Sequence, residues 1–252
     1  SSGSEANDLA WRLATAFTGR AGGLATANAY HGVTAAIADL SPEAWPLTRD
    51  QHELGLYFAD RATGMGARIL TETDSGWVNT HDDLYFLADG KHFLWASERD
   101  DYYHLYRYTM DGRLVNQITR GPWAMVSSSG VFWLKQVVAG IDEANGTVYF
   151  TALERSPLER HLYRIKFDGS GMTRLSSESG VHRISMPANA RFYLDNFSDA
   201  RTMPALTLRR SDGTRQLAIA TPRMELLARF DVQYPELVTI PTSDEFPMPA
   251  RI

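Results

Sequence analysis

One structural unit recurs four times along this chain, and it restricts the possible fold more than any other feature of the sequence. Each copy consists of a short apolar strand, a turn with aspartate and glycine, and a second strand that ends in a hydroxyl residue. The copies span residues 56–71, 105–119, 162–176 and 206–221. Their turn aspartates, Asp60, Asp111, Asp168 and Asp212, are 51, 57 and 44 residues apart. Repeats at this period are typical of arrays of small structural units.

An inner hairpin precedes each of the last three copies, at residues 84–96, 137–152 and 181–194. A hairpin followed by a copy gives a four-stranded antiparallel meander, which is the size of one propeller blade. The sequence therefore predicts a mainly β fold: a partial β-propeller of about three and a half four-stranded antiparallel blades, with a short N-terminal α/β segment. A generic meander or β-sandwich is the alternative, because regularly spaced turn signals suit either architecture.

Composition excludes several classes of partner. The net charge is -5 and no lysines or arginines cluster, so we expect no nucleic-acid partner. No apolar run approaches the roughly 18 residues needed to span a bilayer, so we expect no membrane partner. The chain has no cysteine, which excludes thiolate metal sites and thiol nucleophiles. His81, Asp82 and Asp83 are adjacent, but alternation along a strand separates their side chains, so we expect a solvated strand entrance and no metal site.

Residues 1–46 do not resemble the repeats. Ser2-Gly3-Ser4-Glu5 matches a capping box, and apolar residues at helical spacing follow it, so a helix is predicted to begin at residues 3–5. The purely structural interpretation is an ordinary amphipathic helix. The functional interpretation is a phosphate-binding helix N-terminus, because such an end presents unpaired N–H groups.

The N-terminal residues also resemble a cofactor-binding family. The segments 2–10, 18–19, 29–32, 41–43 and 45–46 are similar to the part of class III pyridoxal-phosphate aminotransferases that holds the cofactor. The resemblance implies that Gly3 and Ser4 match the phosphate-binding turn and that Tyr30 matches the aromatic residue stacked on the cofactor ring. It ends near Pro46, before the family's Schiff-base lysine and acidic partner, so we expect a vestigial phosphate cradle and no working cofactor.

The repeats resemble a second family over about residues 54–252. The segments that carry this likeness are 77–79, 98–100, 104–106, 119–121 and 156–163. Together they are similar to the N-terminal propeller of bacterial dipeptidyl peptidase IV-type enzymes, serine peptidases of the prolyl oligopeptidase class (family S9). The resemblance implies proteolysis of peptide substrates, a covering α/β-hydrolase domain, and a location in the bacterial periplasm or cell envelope.

The catalytic centre of that family does not appear in this sequence. Its serine lies on a G-x-S-x-G elbow, and no such motif occurs here. We therefore predict no catalytic residues in this chain and an absent hydrolase domain. The resemblance does imply that Asn79 and His81 face the substrate cavity of a complete enzyme. Open propeller edges predict self-association of the isolated chain.

Three hypotheses follow. The chain is the propeller portion of a dipeptidyl-peptidase-like serine peptidase, inactive alone; or it is a fragment of a class III aminotransferase; or it is a non-enzymatic propeller that binds a partner. The sequence divides into an aminotransferase-like fragment at 1–50, a partial propeller at 51–223 and a connector at 224–252. Two unrelated resemblances in one chain predict a chimera.

Overall fold

The structure of the chain is a computed structural model. It describes residues 3–18, 51–59, 66–79, 81, 83–128, 136–243 and 247–252. The chain divides into two compact units, Ser1–Thr80 and His81–Ile252. The predicted division at residues 50 and 223 is not tested by this and stays a prediction. Among the described residues, no helix is long and apolar enough to cross a bilayer.

The described residues of the first unit form one helix and one β-hairpin. Helix α1 spans Gly3–Thr18 and begins where the capping-box pattern predicts. Strands β1 (Glu53–Ala59) and β2 (Gly66–Thr73) pair antiparallel, with a register shift between Leu56 and Tyr57. The hairpin agrees with the predicted half blade in strand number. Its turn at Asp60 and Gly64 lies outside the described residues.

The second unit contains three four-stranded antiparallel sheets, each made of strands consecutive in the chain. The first sheet comprises β3 (Leu84–Phe86), β4 (His92–Ser97), β5 (His104–Thr109) and β6 (Leu114–Gln117). The second sheet comprises β7 (Val138–Asp142), β8 (Thr147–Ala152), β9 (His161–Lys166) and β10 (Thr173–Arg174). The third sheet comprises β11 (Val181–Ser185), β12 (Phe192–Ser198), β13 (Ala205–Arg210) and β14 (Arg215–Ala220). A 3₁₀ helix (Met224–Arg229) follows, and then a hairpin of β15 (Leu237–Pro241) and β16 (Pro247–Arg251).

The sheets pack face to face in chain order. One apolar core joins the first and second sheets, and it includes Leu94, Leu105 and Ile118 from the first and Phe150 and Tyr163 from the second. A second core joins the second and third sheets. Its buried members are Tyr149, Leu162, Leu175, Ile184, Ala190 and Tyr193. The predicted fold class, a mainly β chain with a partial propeller, is confirmed.

The aspartate-glycine turns form as predicted. Gly112, Gly169 and Gly213 have φ values of 84°, 84° and 93°, in the left-handed region that favours glycine. The aspartate before each glycine closes the turn: Asp168 Oδ1 accepts from the Ser170 N–H at 2.8 Å, and Asp212 Oδ1 accepts from the Thr214 N–H at 2.8 Å. The turns at Gly169 and Gly213 also bring the second and third sheets close to the chain that ends the preceding sheet.

Gly169 shows this seating most directly. A Cβ at Gly169 would lie 3.1 Å from the carbonyl oxygen of Ile118, in the segment that follows the first sheet. A Cβ at Gly171, which also has positive φ, would meet nothing within 4 Å.

We expect Gly169→Ala to lower the free energy of unfolding by about 2–3 kcal/mol, through backbone strain plus displacement of the neighbouring chain. Gly171→Ala introduces backbone strain but no clash, so it should lower the free energy of unfolding by about 1 kcal/mol. Urea denaturation measures both, and equal losses would contradict the seating role.

Acid should weaken the turns. Accepted hydrogen bonds lower the pKa values of the three turn aspartates. The main donor to Asp111 is the Thr109 hydroxyl, and Ser170 and Thr214 are the donors to Asp168 and Asp212. In the turn before β4, the His92 side chain lowers the pKa of Asp89 to about 2. Because these folded-state pKa values are depressed, the stabilisation is present above the unfolded pKa of about 4 and is lost as pH falls towards about 2.

We therefore expect the urea midpoint to fall between pH 5 and pH 2 (about the range set by these pKa values). The matched control is the triple variant Asp111→Asn, Asp168→Asn, Asp212→Asn, because asparagine keeps an acceptor oxygen but does not titrate in this range. Its midpoint should fall less steeply with acid. An equally steep fall would show that the turn carboxylates are not the groups responsible.

Candidate functional site

The topology collects the longer loops at one end of the three sheets. In an antiparallel meander, the loop from the second to the third strand lies at the same end of the strands as the connection to the next sheet. We call this end of the sheets the connection end. It carries residues 98–103, 153–160 and 199–204, the inter-sheet connections within 118–137 and at 175–180, and the entry to β3 at His81 and Asp83.

A cavity of about 810 Å³ opens at the connection end of the second and third sheets. Its polar lining includes Glu159, Ser179, Asp199, Arg201 and Glu236. Its apolar lining includes Leu158, Val181 and Leu237. The volume lies within the range of small-molecule and peptide sites. Three carboxylates against one guanidinium make the cavity anionic.

Glu159 is a carboxylate of this cavity that other side chains hold in place. Burial raises its pKa, but hydrogen bonds from His161 and Ser179 outweigh that effect and leave the pKa below its usual value. His161 Nε2 lies 2.8 Å from Glu159 Oε2. His161 is itself fully buried. Glu159 is thus a preoriented anion at neutral pH.

The orientation of His161 is fixed by Ser176. The Ser176 Oγ accepts from the Leu162 N–H at 3.0 Å and lies 2.9 Å from His161 Nδ1. Because the hydroxyl oxygen already accepts from the backbone, the arrangement fits a hydroxyl that donates to Nδ1, with Nε2 donating to Glu159.

The first sheet repeats this arrangement. His104 Nδ1 lies 3.1 Å from Thr119 Oγ1, which accepts from the Leu105 N–H. There Nε2 faces the Gly121 carbonyl oxygen at 2.9 Å and not a carboxylate. Burial lowers the pKa of His104. The sequence prediction assigned no role to these histidines, although the signal was present: a histidine stands fifteen residues before the hydroxyl that ends the second copy and the third copy. In the third sheet Ala205 and Ala220 occupy the two positions.

The third sheet carries a different polar network. His182 Nδ1 lies 2.9 Å from Asp195 Oδ1, and His182 Nε2 lies 2.9 Å from the Glu178 carbonyl oxygen. Arg209 completes the network, with Nε 3.1 Å from Asp195 Oδ2 and Nη2 3.0 Å from Glu178 Oε1. The His182 ring lies 5.3 Å from the His161 ring, centroid to centroid. The network thus ties strands β11, β12 and β13 to Glu178, next to Ser179 and Gly180 in the cavity lining.

The predicted site residues are placed as follows. His81 lies half-buried at the entry to the first sheet, with its ring centroid 4.4 Å from that of Trp95 and 5.3 Å from that of Tyr103. Asn79 is half-buried in the first unit. Neither is among the residues that line the cavity beside Glu159. Their proposed role at a substrate cavity stays a prediction.

The vestigial cofactor site also stays a prediction. Gly3 and Ser4 form the first turn of α1, and Tyr30 lies outside the described residues. No group of three or more histidines, aspartates or glutamates within the described ranges could hold a metal ion.

Asp83 corrects one expectation. The sequence predicts a solvated strand entrance here, but Asp83 is fully buried. Its carboxylate accepts from the Tyr85 hydroxyl at 2.5 Å, the Tyr103 hydroxyl at 2.7 Å and the Val137 N–H at 3.1 Å. Burial and the Asp83 charge raise the pKa of both tyrosines, so they remain neutral donors. The carboxylate ties the first sheet to the start of the second. Asp82 lies outside the described residues.

Comparison with known proteins agrees with this architecture. Three consecutive four-stranded meanders with their loops at one end define a propeller domain. Residues 45–204 match the family model described as the dipeptidyl peptidase IV (DPP IV) N-terminal region. Because the match covers more than half of the chain, the chain belongs to this family.

Relatives and a solved structure point the same way. A probable dipeptidyl-aminopeptidase B from Coccidioides posadasii is 28% identical over 160 residues, which is 58% of this chain and 16% of that protein. One from Emericella nidulans is 32% identical over 135 residues, 50% of this chain and 14% of that protein. The crystal structure of Porphyromonas gingivalis dipeptidyl peptidase 4 superposes with a TM-score of 0.70 at 26% identity, covering 81% of this chain and 28% of that one. The chain thus spans less than a third of each of these proteins.

The family match begins at residue 45. The interpretation of residues 1–46 as an aminotransferase fragment, and of the chain as a chimera, gains no support from these comparisons and stays a prediction.

The Asp83 network makes a testable prediction. Asp83→Ala leaves two buried hydroxyls and one buried N–H without their acceptor, so it should lower the free energy of unfolding by about 3 kcal/mol. Tyr103→Phe removes a single donor and should cost about 1 kcal/mol. Exposed Asp231 provides the control, since Asp231→Ala should change stability by less than about 0.5 kcal/mol. Chemical denaturation followed by tryptophan fluorescence measures all three, and a neutral Asp83→Ala would contradict the network's role.

Proposed function

We propose that this chain is the propeller portion of a dipeptidyl-peptidase-like serine peptidase and that it gates and positions peptide substrates. The observation that carries the proposal is the coincidence of the family match at 45–204 with the sheets whose connection end holds the anionic cavity. In this arrangement the sheets provide a rigid wall, and the loops at their connection end meet the substrate.

The chemistry of the cavity suits one end of a peptide. Glu159, Asp199 and Glu236 create a negative potential that attracts a protonated amino terminus and repels an acidic peptide. The apolar residues Leu158 and Val181 supply surface for a small side chain. Because Glu159 is held by His161, it does not have to be oriented when the ligand binds.

Bond cleavage is assigned to a different domain. Peptide hydrolysis in this class needs a serine activated by histidine, with donors for the oxyanion, and the G-x-S-x-G elbow that would carry the serine is absent from this sequence. We therefore propose that the chain is inactive alone. An α/β-hydrolase domain would supply the nucleophile.

Hydrolysis of glycyl-prolyl-p-nitroanilide tests this assignment. The purified chain should release no nitroaniline above the buffer rate. A protein in which this propeller is joined to an α/β-hydrolase domain should release it in a manner blocked by a serine-reactive fluorophosphonate. Turnover by the chain alone, blocked by the same reagent, would overturn the proposal.

Peptide positioning is tested on the chain as it stands. Titration with glycyl-prolyl-alanine, followed by amide NMR, should shift the signals of Ser179, Gly180 and Asp199. The N-acetylated peptide should shift them less, because it lacks the ammonium group. Glu159→Gln should weaken binding about tenfold, as expected for one charge-assisted contact, whereas exposed Asp231→Asn should not. Equal binding of the acetylated peptide would contradict ammonium recognition.

We propose in addition that the isolated chain self-associates. Sheets that end an open array leave apolar surface and strand edges uncovered. The expected result is an apparent mass that rises with concentration.

A further inference from the structure

A second cavity, of about 370 Å³, lies between the second and third sheets at the end opposite the connection end. Three hairpin turns reach it, through Asn145 after β7, Gly171 after β9 and Ser211 after β13. Lys166 ends strand β9 and lines this cavity, whereas Glu159 precedes the strand, so the two cavities are about 20 Å apart along β9. We call the second one the turn-end cavity.

Four residues of its lining lie on one side of the second sheet. Register pairs Tyr149 with Arg164 and Thr147 with Lys166, and residues two apart along a strand share a side. Tyr149 belongs to the core shared with the third sheet. The four side chains therefore lie on the side of the second sheet that faces the third sheet, and all four line the turn-end cavity.

Arg164 is a half-buried cation of this cavity that lacks a counterion. In the part of the chain that the structure describes, its guanidinium makes no ion pair and no side-chain hydrogen bond. Removing a charged group from water costs free energy unless an opposite charge or hydrogen-bond partners compensate. The guanidinium is therefore available to an anionic ligand.

The Lys166 ammonium is held in place at the same cavity. Its Nζ donates to the Asn145 carbonyl oxygen at 2.7 Å and to Thr147 Oγ1 at 3.1 Å. Because an ammonium has three N–H donors, one remains for a ligand. Lys166 also interacts electrostatically with Asp168, which is not a residue of the cavity lining.

The charge of the lining is net positive. Of the described residues that line the turn-end cavity, Asp142 alone is acidic. Its Oδ1 accepts from the Asn145 N–H at 3.2 Å and its Oδ2 accepts from Asn145 Nδ2 at 2.8 Å. Two cations against one carboxylate leave a positive potential, and the hydroxyls of Tyr149 and Ser211 add neutral donors.

We propose that the turn-end cavity binds a phosphate group, either the free ion or the phosphate of a small monoester. A tetrahedral oxyanion offers several acceptor oxygens, and a guanidinium beside an ammonium provides the strong charge-assisted donors that it needs. A ligand that contacts Arg164 and Ser211 would bridge the second and third sheets. The proposal does not depend on the peptidase assignment and is tested separately from it.

The first sheet provides a matched control for the arginine. Arg107 occupies the position of Arg164 in the repeat and is also half-buried, but Thr109 stands where the second sheet has Lys166. Arg107 does not line the turn-end cavity. A phosphate that binds at this cavity should therefore depend on Arg164 and not on Arg107.

Titration of the full chain with inorganic phosphate, followed by amide NMR at constant ionic strength, tests the site. The signals of Asn145, Gly171 and Ser211 should shift saturably, whereas those of Ser179 and Gly180 at the connection end should not. Glycerol 3-phosphate in place of inorganic phosphate distinguishes the sources, since tighter binding of one of them identifies that form as the ligand. No saturable shift with either probe, or equal shifts with sodium acetate, would overturn the proposal.

Three variants test the residues. Arg164→Gln and Lys166→Gln should each weaken phosphate binding about tenfold, as expected for the loss of one charge-assisted contact, and Arg107→Gln should leave it unchanged. Phosphate should also raise the urea midpoint of the wild-type chain more than that of Arg164→Gln, because a ligand that binds only the folded state stabilises it. Circular dichroism verifies folding, and Lys166→Gln carries the test if Arg164→Gln does not fold. Wild-type affinity in the folded Arg164 and Lys166 variants would overturn the assignment.

Discussion

The packing of one four-stranded sheet on the next is the interaction on which the rest of this structure depends. Each sheet is apolar on both faces, so none of the three can be stable as a single layer in water. Leu94 and Leu105 have no exposed surface because Phe150 and Tyr163 of the next sheet belong to the same core. The turn glycines Gly169 and Gly213 allow the close approach that this packing requires.

Polar groups at the connection end are organised by the same packing. Asp83 is buried because the first and second sheets close over it, and three donors compensate for its burial. His104 and His161 each connect a third strand to the hydroxyl that follows the fourth. In the second sheet this connection also holds Glu159 at the cavity. The histidine-hydroxyl arrangement of the second sheet is therefore also part of the candidate binding site.

The comparison with dipeptidyl peptidases gives this arrangement a context. The chain covers under a third of the solved structure it resembles, and that part is a wall of sheets with an anionic cavity at its loop edge. The negative charge of this cavity is the property on which the proposed selection of peptide substrates depends.

The sequence by itself determined the strands, the turns and the kind of fold. Period-two alternation and the turns at Asp111, Asp168 and Asp212 are local signals, and the hydrogen bonds that close those turns are local as well. The family resemblance was also readable from short segments such as 156–163. These features depend on residues close together in the chain, which is why one sequence suffices to predict them.

Only the tertiary structure decided which polar groups are buried and which residues meet. Asp83 reads as a solvated residue at the start of a strand, and it is buried because Val137, 54 residues later, closes over it. Glu159, Asp199 and Glu236 belong to three separate segments, and no spacing rule connects them. Likewise the apolar residues of β12 and β13 resemble those of the covered sheets in sequence. Their exposure nevertheless differs, because burial depends on packing between elements and not on the pattern within one.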